Sequence, residues 1–488
     1  MSGNTATRQP TLADALIPIG FMILLLAVGY IGFGLNAEPL IIAAAVLAGV
    51  MALRLGHTYD DIMASIARQL AKVMPAFLIL ITVGFLIGTW MIGGTIPMII
   101  YYGLEIISPQ WLLITALVVT SIVSLATGTS WGSAGTVGVA FMGVAIGLDA
   151  NLAAVAGAVV AGAYFGDKMS PLSDTTNLAA LSTGVNLYTH IANMIWTTGP
   201  AFLLAAIVYT ITGLTMGDAG SATPEAVTQI NTALSSAFSF NLVLLLPLLI
   251  VLVGSMTRKP TIPVMLAASV VAMINAVVFQ GAAIADTVAA AVTGFDLDMI
   301  ARAGFNIANA PDDIASLLER GGMTSMMNTL LIAFCAIVFA GVIILTGALD
   351  LLVERLLRFA RKTGSLILTT IGICLVTIST TCNGQVSIVM PGEMLTDAYV
   401  KRGLHPKVLS RTIEDSVTVT ETLFPWAAAG AYMAATLGVA TLEYAPWAIL
   451  NWSGMLFAIL WGFTGLFIKK IGPEEQKQRL TADVDTTH

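Results

Sequence analysis

The chain has 488 residues, is 57% hydrophobic and 10% charged, and has a mean hydropathy of +0.89. A soluble domain carries about 25% charged residues, so this composition excludes an ordinary soluble fold and predicts an all-α polytopic membrane protein. The net charge of −7, with no basic patch interleaved with aromatics, argues against nucleic acid as a partner.

The first residues, 1–11, read as a cytoplasmic tail that runs into the first spanning helix, because no cleavage site of small residues follows a short apolar core. Apolar windows then fall near 12–33, 39–53, 73–107, 111–127, 132–147, 151–166 and 189–213. After a polar external linker at 214–236 they resume near 237–256, 261–279, 323–347, 364–380, 384–398, 417–438 and 445–468. A helix needs roughly 20 apolar residues to cross a bilayer. Windows 132–147 and 384–398 fall short and are interrupted by Gly, Ser and Thr, which predicts broken helices or re-entrant hairpins at 111–147 and 364–398. Lys and Arg collect at Arg54–Lys72, Arg258–Lys259, Arg355–Lys362, Lys401–Lys407 and Lys469–Lys470, and 34–38, 214–236 and 439–446 carry none. This sorting places both termini in the cytoplasm and the protein in the cytoplasmic membrane. Residues 280–320, with Arg302 and Arg320 among several acids, fit as an external surface helix and loop, and 469–488 as a cytoplasmic tail.

Residues 12–213 and 237–468 follow a similar plan. "SLATGTSWGSAGTVG" from Ser124 and "TISTTCNGQVSIVMPG" from Thr377 each interrupt an apolar pair. About 36–40 residues later each half has an acid-bearing Ser/Thr stretch, "GAYFGDKMSPLSDTTN" and "LSRTIEDSVTVTETLFPW". The loops flanking the first hairpin are free of bases and those flanking the second are rich in them. The two hairpins therefore enter from opposite faces, the arrangement of an inverted-topology repeat.

A carboxylate at the centre of a spanning helix costs about 2.5–3.5 kcal/mol, so Asp167, Asp174, Asp415 (beside Glu414) and Glu421 are candidates for function. Asp167 and Asp174 share a face if their helix continues, and Pro171 between them removes a donor and frees carbonyls. Carboxylates, freed carbonyls, and the oxygens of Thr175, Thr176 and Asn177 suit a hard cation; Na+ is expected at Asp167, Asp174 and Asn177. Lys168 has two open readings, a partner for a carboxylate of another segment or a snorkelling cation. Arg411 and Asp415 have the spacing of an ordinary helical ion pair. The hydroxyls of Thr127, Thr129 and Ser130, and Thr380, Thr381 and Asn383 in the second half, are expected contacts at exposed half-helix ends; helix packing through Gly128 and Gly132 is the alternative reading of the first break.

At these residues the chain resembles the NhaC-type sodium/proton antiporters of the ion transporter superfamily. "TGTSWGSAGTVGVA", "GAYFGDKMSPLSDTTNLA", "LSRTIEDSVTVT" and "PWAAAGAYMAATLGV" carry the resemblance. It implies Na+ efflux coupled to H+ entry by alternating access, with no cofactor and no catalysis. By motif it assigns Asp167, Ser173, Asp174, Thr175, Thr176 and Asn177 in the first half and Asp415 in the second; Glu421 is an acid added to the family's pattern and, with Lys168, is expected to modulate the site. The family also includes exchangers of carboxylates and amino acids. Ala427–Ala429 stand where it commonly has polar residues, so an organic solute driven by Na+ is the alternative substrate. A homodimer is expected by analogy with this type of fold. An intramembrane aspartyl protease also needs paired acids, but Gly-x-Gly-Asp is absent before Asp167. A channel fits paired hairpins less well than a transporter does, and no GxxxxGK[ST] stretch supports primary pumping. Cys335, Cys374 and Cys382 have neither zinc nor disulfide spacing.

Overall fold

The computed structural model describes residues 8–216, 224–301, 317–360 and 362–485. Parts of the tails, of the 214–236 linker and of the 280–320 segment lie outside the described residues. Among the described residues, ten helices are long and apolar enough to cross a membrane. A first group comprises α1 (Leu12–Gly32), α2 (Ala37–Arg54), α3 (Tyr59–Ile92) and α4 (Thr95–Ile106). Next come α5 (Pro109–Thr127), α6 (Ser130–Gly147), α7 (Leu152–Met169), α8 (Asp174–Ser182) and α9 (Leu187–Met216). The middle of the chain holds α10 (Pro224–Ala237), α11 (Leu242–Met256), α12 (Thr261–Phe279), α13 (Ile284–Thr293), α14 (Leu297–Ala301), α15 (Met323–Leu345) and α16 (Ala348–Leu357). The second half closes with α17 (Thr363–Thr381), α18 (Gly384–Lys401), α19 (Pro406–Ser416), α20 (Ala428–Leu437), α21 (Thr441–Tyr444) and α22 (Ile449–Thr464). A final helix, α23 (Pro473–Asp485), lies in the segment read as a tail.

Hydropathy alone drew two segments too short. The windows at 132–147 and 384–398 extend into 18-residue helices, because the Ser/Gly-rich residues after each break join the helix. The 73–107 window is two helices divided at Gly93–Gly94.

Helices α5–α8 and α17–α20 are copies at a constant separation of 254 residues. Ser130 and Gly384 begin α6 and α18, and Gly147 and Lys401 end them. Leu152 and Pro406 begin α7 and α19, behind the caps Asn151 and His405. Asp174 and Ala428 begin α8 and α20. Left-handed residues fall in step as well, at Asp149 and Gly403 and at Gly184 and Gly438. The packing is reciprocal: α8 lies on α18 and α20 on α6, and α9 lies on α19 and α22 on α7. Such exchanged contacts are those of two units related by a pseudo-two-fold axis.

The two halves are held together by polar groups as well as by apolar packing. Lys168 at the end of α7 forms an ion pair with Asp415 of α19, with side chains 1% and 0% exposed. His190 Nδ1 of α9 lies 2.7 Å from Ser410 Oγ, and Asn193 donates to the Lys407 carbonyl at 2.8 Å. Within the first half α5 and α7 approach closely at Gly162 and Gly166. A Cβ at Gly162 would stand 2.5 Å from the Leu117 carbonyl oxygen, and Ser124 Oγ donates to the Ala163 carbonyl at 2.5 Å. Small residues serve helix contact here, whereas Gly128 precedes α6 and does not pair with Gly132 on one helix.

Two outcomes follow for stability. Gly162→Val is expected to force α5 from α7 and to cost about 1–3 kcal/mol, read as a lower melting temperature in detergent. Lys168→Met is expected to cost about 3–5 kcal/mol by stranding the Asp415 charge. The double variant Lys168→Met/Asp415→Leu is expected to melt above Lys168→Met; a double variant no more stable than the single would show that the pair is not the interaction lost.

Candidate functional site

Each break has the same construction. Helix α5 ends at Thr127 and passes through Gly128, at φ 70° and ψ 25°; α17 ends at Thr381 and passes through Cys382, at φ 55° and ψ 21°. Glycine adopts this left-handed geometry freely and cysteine does not, so the second break is retained against local strain. The next residue in each case is extended and caps the following helix: Thr129 Oγ1 accepts from the Gly132 amide at 3.3 Å, and Asn383 Oδ1 from the Val386 amide at 3.0 Å. Thr127 Oγ1 lies 3.3 Å from Ser133 Oγ, and Thr381 Oγ1 lies 2.9 Å from Ser387 Oγ. The breaks are therefore specific turns that leave the first amides of α6 and α18 for other partners.

Both breaks line one cavity of about 480 Å³. Its wall is built by equivalent positions of the two halves: Thr129 and Asn383, Ser130 and Gly384, Trp131 and Gln385, Tyr164 and Thr418, Asp167 and Glu421, Asp174 and Ala428. The pseudo-two-fold axis therefore passes through the cavity. The scaffold is symmetric but the chemistry is not, since Asp174 corresponds to Ala428 and Tyr164 to Thr418. Trp131 stacks on Tyr432 at 4.2 Å, and Tyr432 donates its hydroxyl to the Trp131 carbonyl at 2.6 Å, which fixes the first break against the second half. Gln385 reaches back to Asp174 Oδ2 at 3.5 Å.

Asp167 is the most enclosed of the aspartates on this wall, at 4% exposure. Ser130 Oγ donates to its Oδ2 at 2.8 Å; the Ser173 hydroxyl also lies beside the carboxylate, and the buried Oδ1 is left without a well-formed hydrogen bond. Glu421, in the 3₁₀ turn Glu421–Leu423 after α19, faces the amides of Gly384 and Ala429 in the first turns of α18 and α20. Asp174 opens the first turn of α8 and is exposed. At one end of the cavity Lys72, Arg258 and Lys259, all exposed, form a basic rim.

Of the residues singled out by sequence, Asp167, Asp174, Thr175, Thr127, Thr129, Ser130, Asn383 and Glu421 share this cavity. Others build the turns around it. Ser173 caps α8, Thr176 Oγ1 donates to the Lys168 carbonyl at 3.1 Å, and Asn177 Nδ2 donates to the Ser173 and Pro171 carbonyls at 2.6 and 3.1 Å. Asn177 is thereby committed to the turn at Pro171, and the helix that would have put Asp167 and Asp174 on one face is broken there. Thr380 donates back into α17, to Val376, and Thr381 is bonded to Ser387. Asp415 does not line the cavity; Lys168 occupies it, which decides between the two readings of that lysine. Arg411 donates to the Phe467 carbonyl at 3.2 Å and makes no ion pair with Asp415. In the constant register it is Glu421, not Asp415, that corresponds to Asp167.

The sequence reading passed over Tyr164, Thr418, Gln385 and the basic rim. The separation of Thr127 from Thr381 and of Ser133 from Ser387, 254 in both cases, is the signal that leads from Tyr164 to Thr418. Lys72, Arg258 and Lys259 read only as loop charges, because their approach to the cavity depends on how α3, α11 and α12 pack. No cluster of three or more His, Cys, Asp or Glu able to hold a metal is found among the described residues. The oxygen donors present are separate carboxylates with hydroxyls beside them, a set suited to a hard ion of low charge.

Comparison with known proteins identifies the type. The family model described as Na+/H+ antiporter family matches residues 162–466. An uncharacterized Na+/H+ antiporter of Haemophilus influenzae is 58% identical over 96% of this chain and all of its own length. The Na+/H+ antiporter NhaC of Alkalihalophilus pseudofirmus is 35% identical, over 95% of this chain and 98% of its own. The malate-2H+/Na+-lactate antiporter of Bacillus subtilis is 34% identical, over 94% and 96%. The protein, with its helices long enough to span a bilayer and its paired breaks around one acidic cavity, belongs to the NhaC-type Na+/H+ antiporter family.

Proposed function

We infer that this protein is a secondary transporter that exchanges Na+ for H+ across a membrane by alternating access, with Asp167 in the exchange site. The observation that carries the reading is the Asp167 carboxylate: buried on the cavity wall, bonded on one oxygen by Ser130 and without a well-formed hydrogen bond on the other. An isolated buried charge is costly, so such a carboxylate requires either a cation or a proton. A Na+ at Oδ1, with the hydroxyls of Ser130, Thr127 and Thr129 at hand, satisfies it. A proton satisfies it as well, and the two are mutually exclusive. Exchange then needs only that the loaded site, and not the empty charged one, pass between the two faces of the membrane.

The reciprocal packing supports the second requirement. Contacts of α8 on α18 and of α20 on α6 are equivalent by the repeat, so an exchange of their two conformations opens the opposite end at little net cost in contacts. The basic residues at the cavity rim support, by the charge rule, a cytoplasmic position for that end, with both termini on the same side and the protein in the cytoplasmic membrane. A second reading, Na+-coupled transport or exchange of a small carboxylate or amino acid, is favoured by one observation: Lys72, Arg258 and Lys259 border a cavity otherwise lined by acids and hydroxyls.

In everted membrane vesicles with a respiration-generated pH gradient, added Na+ is expected to dissipate the gradient, with an apparent KM for Na+ that rises as pH falls. Asp167→Asn is expected to abolish this response at normal expression and Asp167→Glu to retain part of it. Absence of any response to Na+ or Li+, together with accumulation of labelled malate or lactate on a Na+ gradient, would move the conclusion to the second reading.

A further inference from the structure

One buried acid has no part in the site as described. Glu414, beside Asp415 on α19, is 0% exposed, and neither of its carboxylate oxygens has a well-formed hydrogen bond. The Thr418 hydroxyl lies in hydrogen-bond range of that carboxylate, and Thr418 also belongs to the cavity wall. Glu414 therefore sits one side chain behind the wall. The charged groups that act on it most directly are Lys168 and Asp167 of α7 and its neighbour Asp415. Lys168 is already bonded to Asp415, and the other two are acids.

The helices packed on α19 bring it no free cation. Helices α17 and α22 carry no charged residue. Helix α9 brings His190, held against Ser410, and α8 brings the exposed Asp174. On α18 Glu393 is exposed, Asp397 and Lys401 pair at the surface, and Tyr399 is bonded to Thr370. Arg411, on α19 itself, is turned to the Phe467 carbonyl. Nor does the fold call for an acid at this place. In the constant register Glu414 and Asp415 correspond to Val160 and Ala161, both fully buried in α7. Apolar residues in place of buried charges are often neutral or stabilising, so packing gives no reason for Glu414. A buried carboxylate with no cation of its own, beside two other acids, needs a proton.

We propose that Glu414 and Asp167 share the proton that Na+ displaces, so that Glu414 is a proton-holding residue of the exchange cycle that never meets the ion. This rests on the reading of the cavity as the exchange site and adds to it where the proton resides. With Asp167 empty and charged, a charge on Glu414 as well would set two buried carboxylates against a lysine that Asp415 already holds, so one proton stays with the pair. A Na+ at Asp167 supplies the missing positive charge. The O–H bond then breaks, its electron pair remains on the carboxylate, and one H+ leaves as one Na+ enters. The structural alternative is a permanently neutral acid bonded to Thr418. Glutamine has the shape of that neutral acid, so one substitution separates the two.

The protons released when Na+ binds to the purified full-length protein, measured across pH with an indicator dye, test this. Glu414→Gln is expected to bind Na+ still, but the highest pH at which Na+ releases protons is expected to fall by about one pH unit or more. Glu414→Asp is expected to restore it in part. Infrared difference spectra of the otherwise native protein, labelled with ¹³C at its glutamate carboxyls, keep the test open should Glu414→Gln fold poorly. Added Na+ is expected to remove a protonated-carboxyl band that carries the isotope shift, in Glu421→Gln as in the wild type. An unchanged pH range in Glu414→Gln, or no loss of an isotope-shifted band, overturns the shared proton and leaves Asp167 to hold it alone. Full Na+-driven proton release in Asp167→Asn would instead overturn the reading of the cavity itself.

Discussion

A helix that stops inside a nonpolar medium leaves amides and carbonyls that water cannot reach, and the rest of this structure depends on how that deficit is met at residues 127–130 and 381–384. In hydrocarbon each unmet group costs several kcal/mol. The chain meets part of the cost locally, through the caps Thr129 and Asn383 and the hydroxyl pairs Thr127–Ser133 and Thr381–Ser387. The remaining amides face Asp167 and Glu421. The acids that look misplaced in so apolar a chain thus have a structural partner in the helix ends. What that partner leaves over, above all the Asp167 oxygen without a well-formed hydrogen bond, is available to a passing ion.

Neutrality is managed differently in front of and behind the cavity wall. Behind it, Lys168 and Asp415 neutralise each other and join the two halves. In front of it, Asp167 forms no ion pair among the described residues, and in the proposed function its charge is met by an exchangeable Na+ or proton. Consecutive residues, Asp167 and Lys168, therefore serve opposite ends: neighbours on a helix point about 100° apart, so one side chain enters the cavity and the other the interface with α19. Had Lys168 turned to Asp167, the site would have carried a resident cation in place of an exchangeable one.

The symmetry of the scaffold and the asymmetry of its chemistry have separate uses. Equivalent helix ends and reciprocal packing are the construction that alternating exposure needs, since exchanging the two halves' conformations leaves the same kinds of contact. Unequal side chains at equivalent positions, Asp174 for Ala428 and Ser130 for Gly384, let the two sides of the cavity differ in affinity without disturbing that construction. Cys382, held in a left-handed turn that glycine occupies in the first half, shows how far the backbone is constrained to keep the copies alike.

By itself the sequence determined the all-helical, membrane-crossing class, because apolar content and segment length act locally and additively. It also located both breaks, since Gly, Ser and Thr in a spanning segment are conspicuous against their surroundings, and the block around Asp167 and Asp174 marked the first acidic turn. The tertiary structure alone decided which acid of the second half belongs to the cavity. Asp415 and Glu421 sit six residues apart in equally hydroxyl-rich chain, and nothing local separates a carboxylate consumed by a lysine 247 residues away from one left facing the cavity. Ion pairs of that kind depend on which helices become neighbours, and neighbours are chosen by the packing of whole faces, such as the Gly162 and Gly166 seam. Composition fixes that the chain is helical and crosses a membrane, but only the mutual packing of the helices assigns each buried charge its partner.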